Sequence, residues 1–398
     1  MNPINRPVYL VYLLMGFFLI SVASAIDIAN PGFEKGWEGW TDGEIFFDQT
    51  PKKSKKWREL TVAFNSGDFS AVTIFGGHAG SNGQFDNFKL EAADGEAVEK
   101  SKRVIPTSAG GYGLSPDLPP GKNFDLLDWY LNTPADVDNN GISDRYSEVE
   151  LANGATDERY FFTAEDGGMV FRATIAGAKT SKNTHFTRTE LREMLRRGDK
   201  SISTKGQGGD PGKNNWVFSS APESAQKKAG GVDGALRATL AVNHVTTTGD
   251  NRDIGQVVIG QIHAGKDEPA RLYYQKFPGS KRGSLYLAHE PSGGDDIFIE
   301  LLGRKTINPE DPEDGIALDE KFSYEIRSEG NLLKVTISQK DKVLAQKSVD
   351  MSASGYDVDN DYMYFKAGVY NQNKSGDPED YVQATFYVLE NSHNGYDY

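Results

Sequence analysis

Three stretches carry side chains suited to acid–base chemistry on an anionic substrate: Arg188-Thr-Glu-Leu-Arg192, Gln261-Ile-His263 and Tyr364-Phe-Lys-Ala-Gly-Val-Tyr-Asn-Gln372. Side chains alternate between the two faces of a strand. Read as strands, these stretches place Arg188, Glu190 and Arg192 on one face, with Thr189 and Leu191 behind. They place Val257, Ile259, Gln261 and His263 on a second face, and Tyr364, Lys366, Gly368, Tyr370 and Gln372 on a third. Each has a plainer explanation alone: an ion-pair ladder, a hydrogen-bonded structural histidine, a solvent face of amphipathic side chains. Three polar strand faces in one chain fit a groove better. Their chemistry suits removal of a proton α to a carboxylate, where a developing dianion must be stabilised. Arg and Gln can bind that carboxylate and hold it nearly neutral. A His or Tyr then takes the proton, and a phenol can return one to the leaving oxygen. That is β-elimination from a uronic acid chain, and it requires no metal.

The elements that must position these groups are strands. Across 398 residues there are 43 glycines and many turn signals but few credible long helices. In residues 123–398, strands are predicted over 168–175, 185–195, 235–243, 256–264, 284–289, 296–302, 322–328, 332–338, 362–372 and 381–389. Short strands in such number predict an all-β jelly-roll sandwich of a size such folds reach as one domain. No internal repeat of fixed period is visible.

Upstream, Arg6, an apolar run over 8–20 and Ala23-Ser-Ala25 read as a signal peptide over 1–25, so export to the extracellular space or periplasm is expected. The run is short for a membrane span. With no cysteine, the fold relies on its core rather than on disulfides. Residues 26–93 form a small β-rich segment, with strands predicted over 57–64 and 70–75 and a closing run over 85–90. Trp37, Trp40 and Trp57 can stack on sugar rings or pack a core, and the lysine run 52–56 reads as a solvated loop. Residues 94–122, rich in Gly, Pro, Ser and charge, read as a linker. The formal charge of −14 sets aside nucleic acid and anionic membranes as partners. It does not argue against a polyanionic substrate, because salt of seawater strength shortens the Debye length to about 3–8 Å. The loop from Asp136 to Asp144 has the oxygen spacing of a calcium loop around Gly141, but Ser147 stands where an EF-hand needs Glu. No cofactor is expected, with structural calcium at that loop the minor alternative.

The three stretches resemble, in order and spacing, the signature blocks of family 7 polysaccharide lyases, the alginate lyases. The likeness runs over nearly all of 123–398. The opening Asn30-Pro-Gly-Phe-Glu34 and the closing Phe85-Asp-Asn-Phe-Lys-Leu90 resemble the two ends of secreted carbohydrate-binding sandwich modules, here shortened. The resemblance implies that Arg188 and Gln261 neutralise the substrate carboxylate and that His263 abstracts, or helps abstract, the C5 proton. It implies that Tyr370 protonates the glycosidic oxygen and, for mannuronate, serves as base too. Glu190, Arg192 and Lys366 would orient these groups and bind neighbouring sugars. Ile262 within Gln-Ile-His implies a lean to guluronate or mixed sequences, exerted indirectly because its side chain points away from the groove. The expected enzyme is a monomeric, endo-acting alginate lyase with alginate as partner. The alternatives are a non-catalytic alginate-binding jelly roll and, more distantly, a glycoside hydrolase. The latter needs two carboxylates flanking the bond, and the three strands offer only Glu190. His185 and His244 fall in or beside predicted strands and receive no role. No Gly-x-Ser-x-Gly elbow is present.

Overall fold

The computed structural model describes the strands Val8–Leu14, Glu59–Asn65 and Asp86–Ala93, and then residues 111–205, 211–340 and 342–396. Residues 1–104 and 105–398 are separate units. In the first, Val8–Leu14 lies between Glu59–Asn65 and Asp86–Ala93, antiparallel to both. A short apolar run rich in Val, Leu and Tyr suits a strand as well as the core of an export signal. The strand predicted over 70–75, the three tryptophans and the lysine run lie outside the described residues.

The second unit is the predicted sandwich. One sheet runs in the order Lys342–Asp350, Leu332–Gln339, Phe322–Glu329, Gly231–His244, Tyr381–Asn394, Met169–Thr174, Phe161–Thr163, with Trp216–Val217 attached to Gly231–His244. The other runs Ile297–Leu302, Arg282–His289, Ala270–Gln275, Gln256–His263, Tyr364–Asn371, Arg188–Glu193, Trp129–Asn132, Arg145–Tyr146. Alternation builds the core between them. Leu236, Leu240, Tyr324 and Ile326 come from one sheet, Leu272, Leu285, Phe365 and Val369 from the other, in one buried cluster. Each such side chain contributes roughly 1.5–3 kcal/mol by leaving water. Among the described residues no helix exceeds the five residues of Glu148–Ala152, which Ser147 and Glu150 close with a reciprocal capping box.

All ten strands predicted within 123–398 are present, with shifted ends. Several of those the pattern missed have identifiable reasons. Trp129–Asn132 and Phe161–Thr163 are too short to show a period. Lys342–Asp350 is a sheet-edge strand exposed along most of its length, so neither face is marked by apolar side chains. The domain also begins earlier than Asn123. Leu114 is part of the core and Tyr112 packs against it, in a stretch whose prolines and glycines read as a linker. Two anchoring side chains need no repeat.

One buried network joins the sheets. Glu193, on the inner side of Arg188–Glu193, accepts hydrogen bonds from the Trp216 indole (3.0 Å), the Phe365 amide (3.0 Å), the Asn391 side chain (2.7 Å) and His393 Nε2 (2.7 Å). His393 Nδ1 lies 2.6 Å from the Asp233 carbonyl oxygen. Both ring nitrogens thus face acceptors, which locks the ring between the two sheets.

Candidate active site

The three polar stretches occupy three neighbouring strands. Tyr364–Asn371 is central, with Gln256–His263 on one side and Arg188–Glu193 on the other, all antiparallel. The register sets His263 opposite Tyr364, Lys366 between Gln261 and Arg192, and Tyr370 opposite Arg188. Next along, Trp129–Asn132 brings Tyr130 opposite Arg192 and Asn132 opposite Glu190.

One predicted face needs correction. Val257 and Ile259 do not share a face with Gln261 and His263, because both are in the core. A bulge between Val258 and Gly260 shifts the phase of the strand, leaving Val258 on the outer side against Tyr273, Tyr286 and Tyr370. Gly260 is required there, since a Cβ would stand 2.6 Å from the Tyr324 hydroxyl oxygen. The central strand has its own special position. Gly368 has φ +134° and a Cβ would meet the Thr189 carbonyl oxygen at 2.6 Å, so glycine alone lets the two strands approach. Gln372 falls beyond the strand and turns its amide towards the carbonyls of Tyr370 and Asn371.

The outer face is a trough of about 440 Å³ lined by Arg188, Arg192, His263, Tyr364, Lys366 and Tyr370. Beneath it lies Glu190, only 1% exposed. Its carboxylate accepts from the Gln261 amide and the Lys366 ammonium, and from Arg188 at 3.0 Å. Burial works against its ionisation, but Lys366 and Arg188 outweigh it and hold the carboxyl below its ordinary range. Burial and Arg188 lower Lys366 to about 8 against the pull of Glu190. Glu190 thus holds Arg188, Gln261 and Lys366 together beneath the trough.

Arg188 also lies over the Tyr370 ring at 3.6 Å, and Phe186 meets that ring edge-on at 6.1 Å. Burial raises the Tyr370 phenol, Arg188 opposes and Glu190 adds to the rise, so the phenol keeps its proton. Arg192 is fixed by neutral acceptors, namely the carbonyls of Glu193 and Thr204 at 3.0 Å each and Asn215 at 2.9 Å, and it stacks on Tyr364 at 4.0 Å. His263 stacks on the same Tyr364 ring, 4.9 Å away. Burial, then Lys366, holds its imidazole well below the ordinary histidine range, so the ring is neutral.

A model of the alginate lyase family matches residues 124–393. The chain belongs to this family, polysaccharide lyase family 7. An alginate lyase from Klebsiella pneumoniae is 55% identical over 283 residues, which are 69% of this chain and 91% of that protein. The crystal structure of the alginate lyase from that organism superposes with a TM-score of 0.66 at 54% identity, covering 69% of this chain and 99% of that one. The exolytic family 7 alginate lyase of Zobellia galactanivorans shares the fold, with a TM-score of 0.51 at 23% identity over 69% of this chain and 98% of its own.

In this lyase all seven residues singled out from sequence converge on one trough or its floor. The sequence reading missed others that line it, including Tyr130, Asn132, Asn183, Lys266 and Glu268. Tyr130 and Asn132 belong to a strand too short to detect, and the other three belong to loops without periodicity. His185 does reach the trough, from the loop before Arg188–Glu193. His244 does not; it lies in the opposite sheet, stacked on Tyr381 at 4.0 Å. In the loop 136–144, the Asp136 carboxylate accepts from the amides of Asn140 (2.9 Å) and Gly141 (3.0 Å), an Asx-type closure by the loop itself. Among the described residues no group of three or more His, Asp or Glu is arranged to hold a metal.

Proposed function

We propose that the lyase cleaves alginate by β-elimination in this trough, using Arg188, Gln261, His263 and Tyr370 and no cofactor. The observation that carries this reading is the shared carboxylate of Glu190. It fixes Arg188 and Gln261 side by side while Arg188 lies against Tyr370. Arg188 and Gln261 receive the uronate carboxylate and draw charge from the α-carbon. His263 takes the C5 proton, or assists Tyr370 in taking it where the sugar presents that proton from the other face. The C5 electron pair forms the C4–C5 double bond, the C4–oxygen bond breaks, and Tyr370 protonates the departing oxygen. Arg192 and Lys366 supply positive charge for carboxylates of adjoining sugars.

The action proposed is endo, with a lean to guluronate or mixed blocks, by an exported monomer. Ile262 supports the lean only through the backbone that carries Gln261 and His263, since its side chain is in the core. The test follows ultraviolet absorbance and viscosity together on alginates enriched in each block. Absorbance from unsaturated uronate, with viscosity falling well before absorbance saturates, is the expected result. Shortening without absorbance would overturn elimination. Binding with neither change would favour the non-catalytic alternative.

A further inference from the structure

Glu268 lies five residues beyond His263, in the loop leading to Ala270–Gln275. Its Oε1 is 3.2 Å from His263 Nε2. The other ring nitrogen, Nδ1, lies 2.6 Å from the Ala264 carbonyl oxygen, which can only accept, so Nδ1 carries the proton. In the neutral ring the lone pair is therefore on Nε2, the atom facing Glu268. When Nε2 takes a proton from substrate, the ring becomes a cation. From the neighbouring strands it is faced by Lys366, Arg188 and Arg192, all opposing that charge, and by the phenols of Tyr364 and Tyr370. Among these surroundings Glu268 is the carboxylate in reach of Nε2; Glu190 is committed to Lys366, Gln261 and Arg188.

Glu268 is itself held in place. Arg271, three residues on, stands 3.9 Å from its Oε2 and bridges to Glu290 at 3.1 Å and to Asp296. Tyr356 donates its hydroxyl to the Glu290 carbonyl oxygen. Lys266, from the same loop as Glu268, lines the trough.

We propose that Glu268 is the positioning residue and counter-ion of His263: it faces Nε2 from the wall of the trough, holds the ring in place and stabilises the imidazolium once the C5 proton arrives. The inference rests on the elimination reading above. The proton path balances without a co-reactant. C5 loses H⁺ to Nε2, the imidazolium is held by the Glu268 carboxylate, and the proton leaves to water after product departs. Burial raises Glu268 to about 7, with Arg271 opposing and Glu290 adding to the rise, so the carboxyl against Nε2 titrates near neutrality. Below that range the protonated Glu268 carboxyl donates to Nε2; above it the carboxylate leaves Nε2 free to take a proton. The acidic limb of kcat/KM thus belongs to Glu268.

Glu268→Gln tests this, with melting temperature measured alongside. The amide cannot titrate or balance the imidazolium. The plateau kcat should fall about 10- to 100-fold, less than the ~10²–10⁴ of losing a general base outright. The acidic limb should move to lower pH by about one unit or more, since the remaining imidazole titrates low on its own. A structural role alone would lower the melting temperature and leave the limb in place. An unchanged limb or an unchanged plateau in the folded variant overturns the proposal. Nitrogen NMR of the wild-type ring, assigned by its loss in His263→Asn, decides independently of how the variant folds: a proton on Nδ1 supports the proposal, and a neutral ring protonated on Nε2 refutes it. A wild type that yields no unsaturated product would instead refute the elimination reading.

Discussion

Two glutamates three positions apart on one strand, Glu190 and Glu193, are both buried and both surrounded by donors, yet their surroundings serve opposite ends. Glu190 points outward under the trough and holds three groups, Arg188, Lys366 and Gln261, two of them cations. Glu193 points inward and holds Trp216, Asn391, His393 and the Phe365 amide, linking the two sheets. Strand alternation alone assigns one to chemistry and the other to the core. The difference teaches that a buried carboxylate is read by where its partners lead. Around Glu190 they end at the trough, where a substrate carboxylate would find them. Around Glu193 they end in packed aromatic rings, with Trp216 5.2 Å from His393 and 5.0 Å from Phe365.

Substitution of each should separate the two roles. Glu193→Gln should have the larger effect on stability, about 3–5 kcal/mol, because it removes the carboxylate at the centre of a buried network and turns an amide donor towards groups that themselves donate. Denaturant unfolding measures it, and where the variant is folded its turnover should stay near that of wild type. Glu190→Gln should cost less stability, since Lys366, already lowered to about 8, can shed its proton once its partner is gone. It should nevertheless lower kcat/KM by about 10²-fold, roughly 2.7 kcal/mol, because Arg188 and Gln261 lose the group that orients them. Equal stability losses with equal activities would erase the distinction.

Much of this was legible in the sequence because both the fold and the site follow from strand periodicity. Arg188, Glu190 and Arg192 emerged on one face simply by alternating, and the family resemblance then joined three strands far apart in the chain. Two kinds of information were not legible. The bulge between Val258 and Gly260 leaves Val258 against Tyr370 and sends Ile259 to the core, and the need for glycine at 260 comes from a tyrosine of the opposite sheet, 64 positions on. The loop residue Glu268 has no period to mark it; its place beside His263 depends on Arg271, Glu290 and Asp296 meeting from three segments. Glu193 was invisible for a related reason, since its partner His393 lies 200 residues away.

The most direct test of the central claim, that the outer face of these strands is an elimination site with Tyr370 as proton donor, is the turnover of Tyr370→Phe on alginate, read by ultraviolet absorbance. Phenylalanine keeps the ring under Arg188 and removes only the hydroxyl, so binding should persist while kcat falls by about 10²–10⁴. Turnover like that of wild type would contradict it.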